Sequence, residues 1–328
     1  DPLDLIKQFG ADGVRTGMLF SSPAGNDLLF DEKLVEQGRN FSNKIWNAFR
    51  LVKGWEITET EQPAINAQAI SWFESKLNKA LTELEDHFSK FRMSDALMTV
   101  YKLVWNDFCS WYLEWIKPEY GKPIDAKTHT ATTELFEKVL KLLHPFMPFI
   151  TEELWHELKE RKDGEAIIVA EWPKAASFDD RILKEADLLF EITSAVRNIR
   201  SSKGISPKET FELTTDSKAI ASIGESLKKL ANVSEIKSGD KPANAFSFVV
   251  GSDEFFIPAT ENIDIEAEKK KIEEELNYTK GFMKSVEKKL SNEKFVNGAP
   301  EQVVAMERKK LADAEAKVKT LEESLASL

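Results

Sequence analysis

A chain of 328 residues, 42% of them hydrophobic, is long enough for two or three domains with cores of their own. Its formal charge of −11 excludes indiscriminate nucleic-acid binding, so any RNA contact has to come from local basic patches. The single cysteine, Cys109, excludes a disulfide framework and a cysteine-rich zinc site, and no metal site is expected. There is no signal peptide and no apolar run of membrane-spanning length, which predicts a cytoplasmic protein.

The opening stretch, Asp1-Pro-Leu-Asp-Leu-Ile-Lys-Gln-Phe-Gly-Ala-Asp-Gly-Val-Arg15, lacks an initiator methionine, and residues 1–30 read as a connector. Asp1, Asp4 and Asp12 match no coordination loop and suit capping or turn roles. From Asp31 to about Ser202 the pattern is helical. The first helix, roughly 31–54, carries Leu34, Phe41, Ile45, Ala48 and Val52 on one apolar stripe. The opposite face collects Arg39, Asn40, Asn43, Asn47 and Arg50, with Lys44 between and Trp46 on the flank. Asn is a poor helix former, so three of them beside two Arg and a Trp need a reason. Two are open: recognition of unstacked RNA bases and phosphates, or amide bridges to neighbouring helices.

A second helix is predicted over about 64–90, with Ile70, Phe73, Leu77, Leu81, Leu84 and Phe88 inward, and a third over about 94–117. Leu97, Tyr101, Val104, Phe108, Trp111 and Trp115 make the third one's core stripe. A fourth, about 127–143, ends at His144-Pro145; a short helix follows near Thr151, and Ile167 to Trp172 reads as extended. The last bundle helix, about 179–202, places Arg197 and Arg200 on one face, continued by Lys203. These cations suit either phosphate contact or a helix C-terminus. No nucleophile–base pair, glycine-rich phosphate loop or paired histidines can be assembled, so no catalytic residue is assigned.

Residues 203–260 alternate differently. A strand near 209–214, a short helix from Lys218 to Leu230, a strand at Val233–Lys237 and a hairpin turning at Gly251-Ser-Asp253 give a small α+β module of β-α-β-β order. The tail from about 261 holds two heptad runs, Ile265 to Leu290 and Val304 to Leu328, separated by an Asn-Gly and Pro300 break. They predict an antiparallel helical hairpin within one chain, hence a monomer. Lys288, Lys289 and Lys294 on one arm and Arg308, Lys309 and Lys310 on the other cluster toward the tip, diluted by glutamates.

The wording Arg39-Asn-Phe-x-Asn-Lys-x-Trp-Asn-Ala-x-Arg50, with Trp105-Asn-Asp-Phe-Cys-x-Trp-Tyr-Leu-Glu114 and the Asp-Pro…Gly-Ala-Asp-x-x-Arg opening, resembles valyl-tRNA synthetase, a class I aminoacyl-tRNA synthetase. The resemblance implies a mainly α region made of an anticodon-binding helix bundle over 31–202, the small module over 203–260 and a coiled-coil arm over 261–328. The catalytic core would lie upstream, and ATP and Mg2+ would belong to that parent enzyme, with no cofactor held here. The implied partner is tRNA-Val, its anticodon loop met by Arg39, Asn40, Asn43, Lys44, Trp46, Asn47, Arg50, Arg197, Arg200 and Lys203. Its elbow would be met by Lys288, Lys289, Lys294, Arg308, Lys309 and Lys310. Two other readings stay open: an isoleucyl-type enzyme, whose tail usually ends in a cysteine-ligated zinc module, and a helical scaffold pairing through its coiled coil.

Overall fold

The structure is a computed structural model describing residues 1–22, 30–242, 245–258, 265–292 and 301–327. The chain is mainly α, as expected, and divides into two compact units, Asp1–Asp187 and Leu188–Leu328.

In the first unit, the opening that reads as a connector forms two helices, α1 (Pro2–Phe9) and α2 (Ala11–Phe20). Asp1 caps α1, accepting from the Leu3 N–H at 2.9 Å, and Pro2 sits where a helix tolerates proline. Helix α3 (Glu32–Lys53) is capped by Asp31 and buries Val35, Phe41, Ile45, Ala48, Phe49 and Val52; Leu34 of the predicted stripe is only half-buried. Helices α2 and α3 meet through glycine. A Cβ on Gly17 would stand 2.5 Å from the Val35 Cα, and one on Gly38 would stand 2.5 Å from the Gly13 carbonyl oxygen. No side chain larger than hydrogen fits there.

Helix α4 (Ala64–Ser89) matches its predicted span to a residue. A tight corner then leads into α5 (Met93–Lys102). The third predicted helix is not uniformly α: Leu103–Tyr112 is a π-helix, followed by α6 (Leu113–Ile116). Its wider turn sets the Phe108 ring over Tyr112 at 5.5 Å, and the Ser110 hydroxyl donates to the carbonyl five residues back, on Trp105. Phe108 and Tyr112 pack with Phe73, Trp72, Trp115 and Phe136 in the aromatic core. The Tyr112 hydroxyl is satisfied at 2.8 Å by Thr132.

Two strands of two residues each, β1 (Ile57–Thr58) and β2 (Ile124–Asp125), pair in parallel beyond any periodicity in the sequence. Asp125 caps α7 (Ala126–Leu143) and is buried against Asn66. The corner from α7 into α8 (Pro148–Leu158) is held from α2. The two Asp12 carboxylate oxygens accept from the N–H groups of Phe149 and Ile150, at 3.3 and 2.7 Å, and Arg15 donates to the Pro145 and Phe146 carbonyls. Burial raises the Asp12 carboxyl above its ordinary range, opposed by those two amides. Ile167–Val169 is a turn of 3-10 helix, not the extended segment expected, because Val169 and Ala170 donate back to Ala166 and Ile167.

Within the π-helix, Asp107 lies 3.8 Å from Lys76. Burial pushes its carboxyl up to about 6, Lys76 opposes this, and Asp187 and Glu83 add to it. A raised folded pKa makes this group favour folding below about pH 4 and lose that contribution as pH rises through about 6. The Tm difference between Asp107→Asn and the unmodified chain is therefore expected to grow in the variant's favour from pH 4 to pH 6. Melts across that range check it; a constant difference would place the titration on other groups.

Helix α9 (Asp180–Ser202) leads into the second unit. There β3 (Phe211–Thr214), α10 (Ile220–Ala231), β4 (Val233–Lys237), β5 (Ala245–Val250) and β6 (Asp253–Pro258) form a sheet of order β4-β3-β6-β5. β3 and β4 are parallel across α10, and β5 and β6 are the hairpin, turning on Gly251 at φ 62°. Counting both hairpin arms, the order is β-α-β-β-β, one strand more than the sequence reading. The tail gives α11 (Ile265–Leu290) and α12 (Glu301–Ser327), which pack together. Glu275 and Lys280, around the middle of α11, pair with Lys317 and Glu322 late in α12, at 2.7 and 2.5 Å, whereas Lys289 at the end of α11 lies 3.8 Å from Glu307 early in α12, so the arms are antiparallel. Ile272, Leu276, Val286, Val304 and Ala314 are buried along the seam, with Thr279 its polar member. The Asn-Gly and Pro300 break lies outside the described residues.

Candidate nucleic-acid interface

On α3 the polar face stands clear of the bundle. Asn40, Asn43, Asn47 and Arg50 are exposed, and among the described residues their side chains make no hydrogen bond. Amide bridging between helices is thus not what the asparagines do. Trp46 is also exposed, at 38%, with its ring tilted at 46° to that of Phe49 and the centroids 5.7 Å apart. Two members are partly committed. Arg39 donates at 2.6 Å to the Gln8 carbonyl at the end of α1, and the Lys44 ammonium lies 5.3 Å over the Trp105 ring.

One turn further, Leu51 and Gly54 begin a cavity of about 490 Å³ that also takes in Trp55, Lys117, Tyr120 and Lys122. Tyr120 is fully exposed and Trp55 half-buried. The sequence reading passed over all four. Their signal was an aromatic beside a glycine and near lysines, in Gly54-Trp55 and Tyr120-Gly121-Lys122, which apolar periodicity does not register.

The second set of cations is arranged differently. Arg200 is 5% exposed, and its guanidinium donates to the carbonyls of Ser206, Glu209, Ala231 and Asn232 at 3.1, 2.6, 3.2 and 2.9 Å, over the Phe211 ring. Burial lowers its pKa and Glu209 opposes this. It is a structural cation at the negative end of α10, not a phosphate ligand, and leaves the candidate set. Arg197 shares its face, as the spacing implied, and donates to Leu230 at 3.1 Å while remaining exposed. The Lys203 ammonium sits 5.2 Å over the Phe246 ring.

On the hairpin, Glu307 is nearly buried and accepts from Lys310 at 2.8 Å, with Lys289 at 3.8 Å; Lys310, then Lys289, holds its carboxyl below the usual range. Lys288, Arg308 and Lys309 are exposed with no ion pair among the described residues. Lys294 lies outside them. No three His, Cys, Asp or Glu side chains converge among the described residues. No described helix is long and apolar enough to cross a membrane.

A family model described as the anticodon-binding domain of tRNA ligase matches residues 71–215, and one described as the valyl tRNA synthetase tRNA binding arm matches residues 264–328. The chain belongs to the valyl-tRNA synthetase family. Relatives named valine–tRNA ligase from Christiangramia forsetii and Parabacteroides distasonis are 55% and 51% identical over the whole chain, and one from Fusobacterium nucleatum is 35% identical. The chain spans 38% of the length of the first two and 39% of the third. It corresponds to the C-terminal region of these valyl-tRNA synthetases. The arm match coincides with α11 and α12; the anticodon-domain match begins inside α4, so the α3 face lies outside it.

Proposed function

We propose that this chain is the tRNA-recognition part of an enzyme that joins valine to tRNA-Val with ATP and Mg2+, and that it carries none of the chemistry itself. The bundle would read the anticodon loop, the small sheet would space, and the α11–α12 hairpin would lean on the tRNA elbow. The observation that carries this reading is the exposed, unbonded strip Asn43, Trp46, Asn47 and Arg50 leading to the cavity at Trp55 and Tyr120. Asn amides can pair with base edges, exposed rings can stack on bases, and cations can hold phosphates. In this reading ATP and Mg2+ are held upstream, the protein acts in the cytoplasm, and the hairpin, already paired with itself, leaves the chain a monomer.

The test is a titration with a valine-accepting tRNA and an anticodon-mutated one. Asn43→Ala and Asn47→Ala are each expected to cost on the order of 1–3 kcal/mol for the native anticodon and less for the mutant, with Tm unchanged. Arg50→Ala should weaken both RNAs alike. In the same titrations, Arg308→Ala or Lys309→Ala should flatten the log–log salt slope by roughly 0.7–0.9 per lost phosphate contact. Asparagine variants that keep full discrimination would remove α3 as the reader.

A further inference from the structure

The corner between α4 and α5 holds a residue that packing does not explain. Phe91 has φ 57°, the left-handed region, where a bulky side chain is strained by its Cβ against the following carbonyl. Among the described residues the only other non-glycine there is Asn232, a residue type that tolerates the conformation and whose amide donates to the Pro207 and Glu209 carbonyls. Phe91 has no such return, since its ring is 86% exposed. A glycine or asparagine would make the same corner with less strain and without an apolar ring in water.

The corner itself is firmly held. The Arg92 N–H donates to the His87 carbonyl at 2.9 Å, the Phe91 N–H to Phe88 at 3.1 Å, and the Ser94 hydroxyl lies against the carbonyls of Leu19 and Ser22 at the end of α2. The ring is thus presented from a fixed backbone. On either side stand Lys90 and Arg92. Lys90 is spent on Asp86, whereas the exposed Arg92 guanidinium donates to no acceptor among the described residues.

We propose that Phe91 is a stacking platform for an unpaired RNA base, with Arg92 gripping the adjoining phosphate. An exposed ring beside a guanidinium that donates to no acceptor among the described residues, although its charge is felt by Asp86, complements a base and its phosphate. Stacking accepts any base because every base has a π-face. Met93, the next large side chain, is also exposed, but the residues directly flanking the ring, Lys90 and Arg92, are both cations, which favours a polyanionic partner over an apolar one. The inference rests on RNA being the partner of this chain, and adds a contact that neither the α3 face nor the hairpin supplies.

The strain supplies the test. Phe91→Gly removes the ring and relieves the backbone together, so it is expected to melt no lower than the unmodified chain yet bind a valine-accepting tRNA transcript roughly five- to tenfold more weakly. Phe91→Trp should retain the affinity, and Arg92→Ala should weaken it while lowering the salt dependence. Unchanged tRNA affinity in Phe91→Gly, with Asn43→Ala still impaired, would overturn the platform and leave the α3 reading standing. No tRNA binding by the unmodified chain would sink both. Loss of concentration-dependent sedimentation in Phe91→Gly, with RNA affinity intact, would mark a contact between two copies and overturn it too.

Discussion

Arg200→Ala is expected to be the most damaging single change in the second unit, at about 3–5 kcal/mol. The guanidinium serves four carbonyls, of Ser206, Glu209, Ala231 and Asn232, and alanine leaves all four without that donor. For a unit of this size the loss should lower Tm by roughly 10 °C or more. Arg200→Lys is no rescue, because one ammonium with three protons cannot replace a planar fork reaching four acceptors. Differential scanning calorimetry of both variants checks this. A variant that keeps its Tm but loses tRNA affinity would return Arg200 to the list of phosphate ligands.

Gly17→Ala is expected to be the counterpart in the first unit. The atoms that its new Cβ would meet, Val35 Cα and N at 2.5 and 2.6 Å, are backbone, so relief requires one whole helix to move from the other. Overpacking of that kind costs up to about 3 kcal/mol, set against about 1 kcal/mol of helix propensity gained. A net loss of about 2 kcal/mol lowers Tm by roughly 4–8 °C at this size. Gly281→Ala is the control: nothing lies within 4 Å of its Cβ, so the propensity gain should stand alone. If both glycines give the same small rise in Tm, the α2–α3 crossing is looser than described.

Where apolar spacing decided structure, the sequence was legible. α4 and α7 lie within a residue of their predicted spans, and the seam of the hairpin is the heptad run. What failed has physical reasons. Helices α1 and α2 are short and carry Gly10, Gly13 and Gly17, which break up apolar periodicity, whereas two of these glycines are contact surface. The π-helix keeps the apolar order of an α-helix while changing its pitch. The strip on α3 was recognised because asparagine is costly in a helix without a use. Arg200 deceived because spacing tells which residues share a face and not what that face meets; here it meets carbonyls. The Trp55–Tyr120 cavity joins residues from two loops, and nothing local announces such a meeting.

The clip that Asp12 and Arg15 make on the α7–α8 corner has a consequence for modularity. Two N–H groups at the start of α8 and two carbonyls just before it receive their partners from Asp12 and Arg15 of α2, 130 to 138 positions earlier. A graft that moved the bundle between enzymes from α3 onward would carry those four groups without their α2 partners. Recombination can therefore exchange this bundle as a working part only when α2 travels with it, and the seam of the exchangeable cassette runs through or before α1.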